Sequence, residues 1–193
     1  MNSKKWEKLL SLQCDSEKDS TQVLAAGFAQ FFIGTEKLFA TDVSILIIGC
    51  TVLEKNLWVE RGFKNLTCIN YFPEKGIQKM DMHDLKFSNE TFDVILAKNV
   101  FEHSFSPYLL LLEMRRVLKK DGLIVFTYQK LGYACNYLRE HPTLTNEDWI
   151  SWLGREFHFT KIREYDLKEG NLIVWRKNAT SDDFIDEWDE EFQ

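Results

Sequence analysis

The chain is predicted to adopt an α/β fold: a mostly parallel sheet with helices on both faces and a reversed last strand. Three observations carry that expectation. Strand-like apolar runs alternate with stretches of helical periodicity. Residues 43–49 (VSILIIG) are apolar almost without a break, as a strand buried on both faces of a parallel sheet must be. The last two strand-like runs are joined by a turn too short for a parallel crossover, so they pair antiparallel.

The elements follow in order. Asp19 and Gln22 have capping-box spacing, and Leu24, Phe28, Phe31 and Phe32 recur at i, i+4, i+7 and i+8, an amphipathic helix that either packs on the sheet or lids a site. After the strand at 43–49, a helical stretch at 53–61 stops at Gly62, and 66–70 (LTCIN) is the second strand. A short strand-like segment lies near Met80. The connection to it is shorter than the dozen or so residues of an ordinary crossover, so a loop or a single turn is expected in place of a helix. Residues 92–98 (FDVILAK) form a strong strand. Ser106 caps a helix with Pro107 as its first residue and Leu110, Met114, Val117 and Leu118 as its inner stripe, and Gly122 is expected to end it. A strand at 123–128 (LIVFTY) follows. Thr145 or Asn146 caps a helix carrying Trp149, Leu153 and Phe157, and final strands at 159–165 and 172–176 flank a Gly170-Asn171 turn. The expected organisation is N-terminal helices over 1–42, the main domain over 43–177 and an acidic amphipathic tail over 178–193.

Composition narrows the class. The 193 residues are 45% hydrophobic and 28% charged, enough for one ordinary core and cramped for two. Nine glycines and three prolines fall below the usual ~7% and ~5%, which excludes collagen-like and low-complexity chains. No apolar stretch approaches the roughly 18 residues of a membrane span, and residues 1–12 lack a signal-peptide pattern, so a cytoplasmic protein without a membrane partner is expected. Cys14, Cys50, Cys68 and Cys135 show no paired spacing, which favours reduced thiols over zinc; no metal is assigned.

The net charge of −6 is unevenly placed: residues 181–193 hold seven acids and no Lys or Arg, so the remainder carries +1. A nearly neutral body without a basic stripe argues against nucleic acid as a partner. In the tail, Phe184, Trp188 and Phe192 recur at i, i+4 and i+8, so a helix there presents an aromatic stripe under an acidic face. It docks on its own domain, docks on a second copy or a partner protein, or stays disordered.

In an open α/β sheet, ligands bind beyond the carboxyl ends of the strands where strand order reverses. Residues 80–128, read in that light, closely resemble the S-adenosylmethionine (SAM)-dependent methyltransferases of the type 11 group. That pattern runs, loosely, D-x-x-x-L-x-F, then F-D-x-V, then L-E-H, a helix ending R-V-L-K-x-G-G, and a strand, and residues 80–128 match nearly every element in order. The resemblance implies a Rossmann-like class I methyltransferase, a three-layer sandwich that transfers a methyl group from SAM to a small-molecule or sugar acceptor. It implies that Asp81 accepts from the adenine amino group while the Met82 N–H reaches a ring nitrogen. The alternative for Asp81 is a turn residue satisfying local amides. Gly49, Cys50 and Thr51 would approach the methionine moiety, with Lys98 and Asn99 at its far end through backbone groups. Gly49 alternatively just ends its strand. Asn70 stands where the family places a ribose-binding acid, and its neutral acceptor is weaker by about 1–2 kcal/mol. The first loop also departs from acid-x-Gly-x-Gly-x-Gly, reading Ile47-Ile48-Gly49-Cys50-Thr51-Val52-Leu53. These departures keep open a second identity, a methyltransferase-like binding protein with weak or no SAM binding. Glu102 and His103 would face the pocket, His103 either as base for the acceptor or as part of the pocket wall. Tyr128 and Gln129 are candidate acceptor contacts. After the fourth strand the chain reads NVFEH, unlike the Asn- or Asp-Pro-Pro-aromatic motif of enzymes that methylate DNA bases. The missing G-x-G-x-x-G and the final hairpin speak against a nicotinamide-dependent dehydrogenase.

Overall fold

A computed structural model describes residues 31, 35, 37–129, 147–166 and 170–178. Its elements are β1 (Ile45–Ile48), α1 (Val52–Glu60), β2 (Leu66–Asn70), β3 (Gln78–Lys79), β4 (Phe92–Ala97), a single 3-10 turn (Phe101–His103), α2 (Pro107–Val117), β5 (Leu118–Gln129), α3 (Glu147–Glu156), β6 (Phe159–Asp166) and β7 (Gly170–Lys177). The strands form one sheet in the order β3-β2-β1-β4-β5-β7-β6. β3, β2, β1, β4 and β5 are parallel, and β7 runs antiparallel to both β5 and β6. The mostly parallel sheet with a reversed last strand is therefore present.

Side chains alternate along β1 and separate two cores. Leu46 and Ile48 join Ile95, Phe126, Trp175 and the inner faces of α2 and α3 on one side. Ile45 and Ile47 join Trp58 of α1, Leu96, Val125 and Val174 on the other. The helices thus lie on both faces, and the central strands are apolar throughout because neither face meets water.

α2 begins as expected: Ser106 Oγ accepts from Leu109 N at 3.4 Å and Pro107 opens the first turn. Its end is a correction. The helix stops at Val117, and Leu118, expected on its inner stripe, already pairs with Phe92 at the start of β5. Gly122 ends no helix. A Cβ there would lie 2.9 Å from the Asp93 carbonyl and 2.8 Å from the Leu118 side chain, so glycine is required by the close approach of β4. The Gly170-Asn171 turn is a second correction: both residues lie inside β7, opposite Gln129 and Tyr128, because the strand continues further than its apolar run. β2 reaches β3 through residues 71–77 without an intervening helix, as its length requires.

β3 is only two exposed residues long, and β6 carries a register irregularity between Lys161 and Arg163. Of the N-terminal apolar set, Phe31 is fully buried in the α1-side core. Leu24, Phe28, Phe32, Cys14, Cys135, Thr145, Asn146 and the acidic tail lie outside the described residues, and of the cysteines Cys50 and Cys68 are buried free thiols.

Candidate active site

The chain leaves β1 for β2 and β3 on one side and returns to β4 on the other, so strand order reverses between β1 and β4. The carboxyl ends of these two strands open the crevice in which such sheets hold ligands. Both exits use left-handed backbone. Gly49 has φ +72°, and a Cβ on it would lie 3.1 Å from Val100 Cγ2 in the loop after β4. The two loops press together there, and a side chain would force them apart. Asn99 has φ 50°, a conformation asparagine tolerates better than most residues. Thr127 of β5 fastens it: the hydroxyl accepts from Asn99 N at 2.8 Å and donates to Asn99 Oδ1 at 2.7 Å.

Cys50 and Thr51 complete the turn into α1. Cys50 N donates to Ile69 O at 3.0 Å, and Thr51 Oγ1 caps the helix by accepting from Glu54 N at 3.2 Å. A hydrogen bond with Cys68, then burial, push the Cys50 thiol far up, so no thiolate nucleophile forms there. Asn70 is committed to the protein on both ends of its amide. Nδ2 donates to Cys50 O at 3.1 Å and Oδ1 accepts from Phe72 N at 3.1 Å. An aspartate would set a carboxylate against that carbonyl, which gives a physical reason for the amide.

Beyond β3, Asp81 Oδ1 accepts from His83 N at 2.9 Å and lies 2.8 Å from His83 Nδ1. This is the local amide satisfaction expected of a turn aspartate, yet the Asp81 side chain is still 43% exposed and has a second oxygen. Met82, between them, is half-buried against the α2-side core. The other nitrogen of His83 lies 2.8 Å from Ser104 Oγ. Both ring nitrogens are therefore engaged within the chain, and among the described residues no group of three His, Cys, Asp or Glu could hold a metal ion.

After β4, His103 closes the 3-10 turn. Burial pushes it down to about 4, so its imidazole is neutral near pH 7 and a weaker proton acceptor than a solvated one. Glu102 beside it is buried. Tyr128 is buried at the end of β5, and burial, followed by the charges of Glu164 and Glu147, pushes its phenol up to about 12, which keeps it a donor. Gln129 pairs through its backbone with Gly170. Lys98, half-buried after β4, pulls Glu54 down, but burial wins and Glu54 rises to about 7.

Sequence reasoning missed His83 as a bridge, Ser104, Thr127 and Glu54. The Asp-x-His spacing and a carboxylate four residues before Trp58, on the apolar face of α1, were the available signals. Nothing local marks Ser104 or Thr127.

Residues 46–126 match the family model described as a methyltransferase domain. Over those residues the chain is similar to a methyltransferase domain. Comparison with curated proteins finds no match. The chain shares its fold with 1,6-didemethyltoxoflavin-N1-methyltransferase of Burkholderia thailandensis, solved with 1,6-didemethyltoxoflavin and S-adenosylhomocysteine bound. The TM-score is 0.68 at 14% identity, over 92% of this chain and 91% of that one. A SAM-dependent methyltransferase of Aquifex aeolicus aligns with a TM-score of 0.55 at 12% identity, over 74% of this chain and 87% of that one. The PH0226 protein of Pyrococcus horikoshii gives 0.57 at 18%, over 78% and 87%. At these identities the likeness establishes the fold.

The residues fit the family's cofactor unevenly. Asp81 keeps a carboxylate oxygen beyond the one His83 occupies, as an adenine amino group needs, whereas Asn70 has one amide hydrogen and one oxygen lone pair taken by Cys50 and Phe72.

Proposed function

We propose that the chain binds S-adenosyl-L-methionine at the carboxyl rim of β1 to β4 and transfers its methyl group to a small-molecule or sugar acceptor. The observation that carries this reading is the pair of left-handed exits where strand order reverses, Gly49 packed close to Val100 and Asn99 just before it, with a half-exposed carboxylate at the neighbouring strand end. When bound, the cofactor supplies a methyl carbon on a positively charged sulfur, so the protein has mainly to align the acceptor and exclude water. Asp81 accepts from the adenine edge and the Met82 N–H donates to it. Gly49, Cys50 and Thr51 bring backbone close to the methionine end, Lys98 and Asn99 close its far side, and Asn70 offers the ribose a second lone pair. His103, neutral near pH 7, takes a proton from an acceptor hydroxyl or amine. Its low basicity confines that role to a proton made strongly acidic by methyl arrival, as on a methylated hydroxyl. Tyr128 and Gln129 contact the acceptor. A small-molecule acceptor is in keeping with the name of the Burkholderia thailandensis neighbour.

The test is calorimetric titration with SAM and with S-adenosylhomocysteine. Micromolar binding that weakens by about tenfold or more in Asp81→Ala supports the proposal. A second reading, a methyltransferase-like binding protein with little or no SAM affinity, is favoured by the double commitment of Asn70 and the single glycine after β1. Absence of binding at millimolar cofactor would select it.

A further inference from the structure

Asp81 follows β3 and Ser104 follows the 3-10 turn after β4, and a single imidazole joins them. Burial lowers the affinity of this imidazole for a second proton, and in the neutral ring the proton assignment is fixed by its partners. A carboxylate can only accept, so His83 Nδ1 carries the hydrogen directed at Asp81 Oδ1; Nε2 must then accept, and the Ser104 hydroxyl donates to it. The Ser106 N–H donates in turn to Ser104 Oγ at 3.2 Å, so each member of the chain gives one hydrogen towards Asp81. The bridge is sealed from water: the His83 side chain is 5% exposed, Ser104 is fully buried, and the Phe105 ring lies 3.8 Å from the imidazole by centroids. Asp81 is the open end of this chain. Two donors from His83 hold Oδ1, so a ligand's amino group meets Oδ2 of a carboxylate whose plane is already set.

We propose that His83, backed by Ser104, is a positioning residue that fixes the Asp81 carboxylate for the amino group of an adenine base and thereby sets the site's preference for adenine over hypoxanthine. The inference rests on the cofactor reading above. A half-exposed aspartate left to itself spreads over several rotamers and loses affinity when a ligand selects one; an anchored one does not. Hypoxanthine places an acceptor oxygen where adenine has its donor, so a fixed carboxylate repels it, whereas a mobile one swings away. The same bridge joins the Asp81 turn to the residue that follows His103.

The experiment titrates the full chain with S-adenosylhomocysteine and with S-inosylhomocysteine. Wild type is expected to favour the adenine compound by about tenfold or more, the worth of one well-placed hydrogen bond to a charged acceptor. His83→Phe keeps the ring against Phe105 but loses both nitrogens, and its preference is expected to fall below about threefold through weaker binding of the adenine compound. His83→Asn, whose amide nitrogen stands in for Nδ1, should recover most of the preference. His83→Phe added to Asp81→Ala should change nothing further, as expected when one residue acts through the other. A folded His83→Phe that keeps the wild-type preference overturns the inference. If that variant does not fold, Ser104→Ala decides: an unchanged preference overturns the inference and a reduced one supports it. Wild type binding both compounds equally removes the inference and leaves the cofactor reading standing; binding neither at millimolar concentration removes both.

Discussion

Glu54 shows how one side chain near the rim tunes stability. It sits 3% exposed on the inner face of α1, and its Oε1 finds no hydrogen-bond partner among the described residues. Burial raises it from 4.5 to about 7, against the pull of Lys98 and of the Trp58 indole N–H. The folded chain therefore keeps this proton to higher pH than the unfolded chain does. The contribution is fully present below about pH 4.5 and is lost as pH rises through about 7, a swing on the order of 3 kcal/mol. His103, held down to about 4 by burial, contributes an opposing rise between about pH 4 and 6.5 in both proteins, so urea unfolding across the window should show a more negative slope for wild type than for Glu54→Gln. An equally steep slope in the variant would mean another group is responsible. Asn70 is the complementary case: the missing acid is plain in the sequence, but its reason is not, because the Cys50 carbonyl that needs a donor is brought to it by β1 pairing with β2.

Elements are held in register by contacts that sequence patterns hint at but do not place. Ser44 donates to Asp93 Oδ2 from its backbone at 2.8 Å and its hydroxyl at 2.6 Å, and Lys119 donates to Oδ1 at 2.8 Å, pinning the start of β4 between β1 and β5. Burial of Asp93 opposes ionisation, yet these hydrogen bonds outweigh it and hold the carboxyl below its usual range. Arg116 of α2 donates to the carbonyls of Leu85 and Phe87 and to Glu113, clamping the segment after Asp81 onto the helix. These interactions give the F-D-x-V and R-V-L-K motifs structural work to do. Gly122 belongs to the same region. Gly122→Ala should destabilise the fold by about 1–3 kcal/mol, because the added methyl meets the Asp93 backbone as well as the movable Leu118 side chain. Thermal unfolding reads this directly, and a neutral substitution would show that β5 can shift away from β4. The helix end was misplaced at Gly122 because glycine is the common stop signal and Leu118 continues the apolar spacing. Pairing with Phe92 overrides both.

Across the whole molecule, each central strand contributes to both cores, so neither core can melt while the other stays packed. Trp58 reports the α1 side and Trp175 the α2 side. Variants that retain one of these two tryptophans as the fluorescent probe should unfold in urea with the same midpoint, as one cooperative unit. Separate midpoints would divide the molecule into two. The architecture was legible because strand burial, turn lengths and the final reversal are written locally. The candidate positions Gly49, Asp81 and Asn99 can be named from the sequence as strand ends, but their wiring cannot, since His83 meets Ser104 and Asn99 meets Thr127 across long stretches of chain. The sheet's two margins have a consequence of their own. One is the two-residue β3, ending in Lys79, and the other is the irregular, charge-bearing β6. Neither offers the long, flat row of backbone donors and acceptors that templates strand addition. Growth into fibrils or sheet-swapped dimers is thereby discouraged at both ends, and any association of copies falls to helical or loop surfaces.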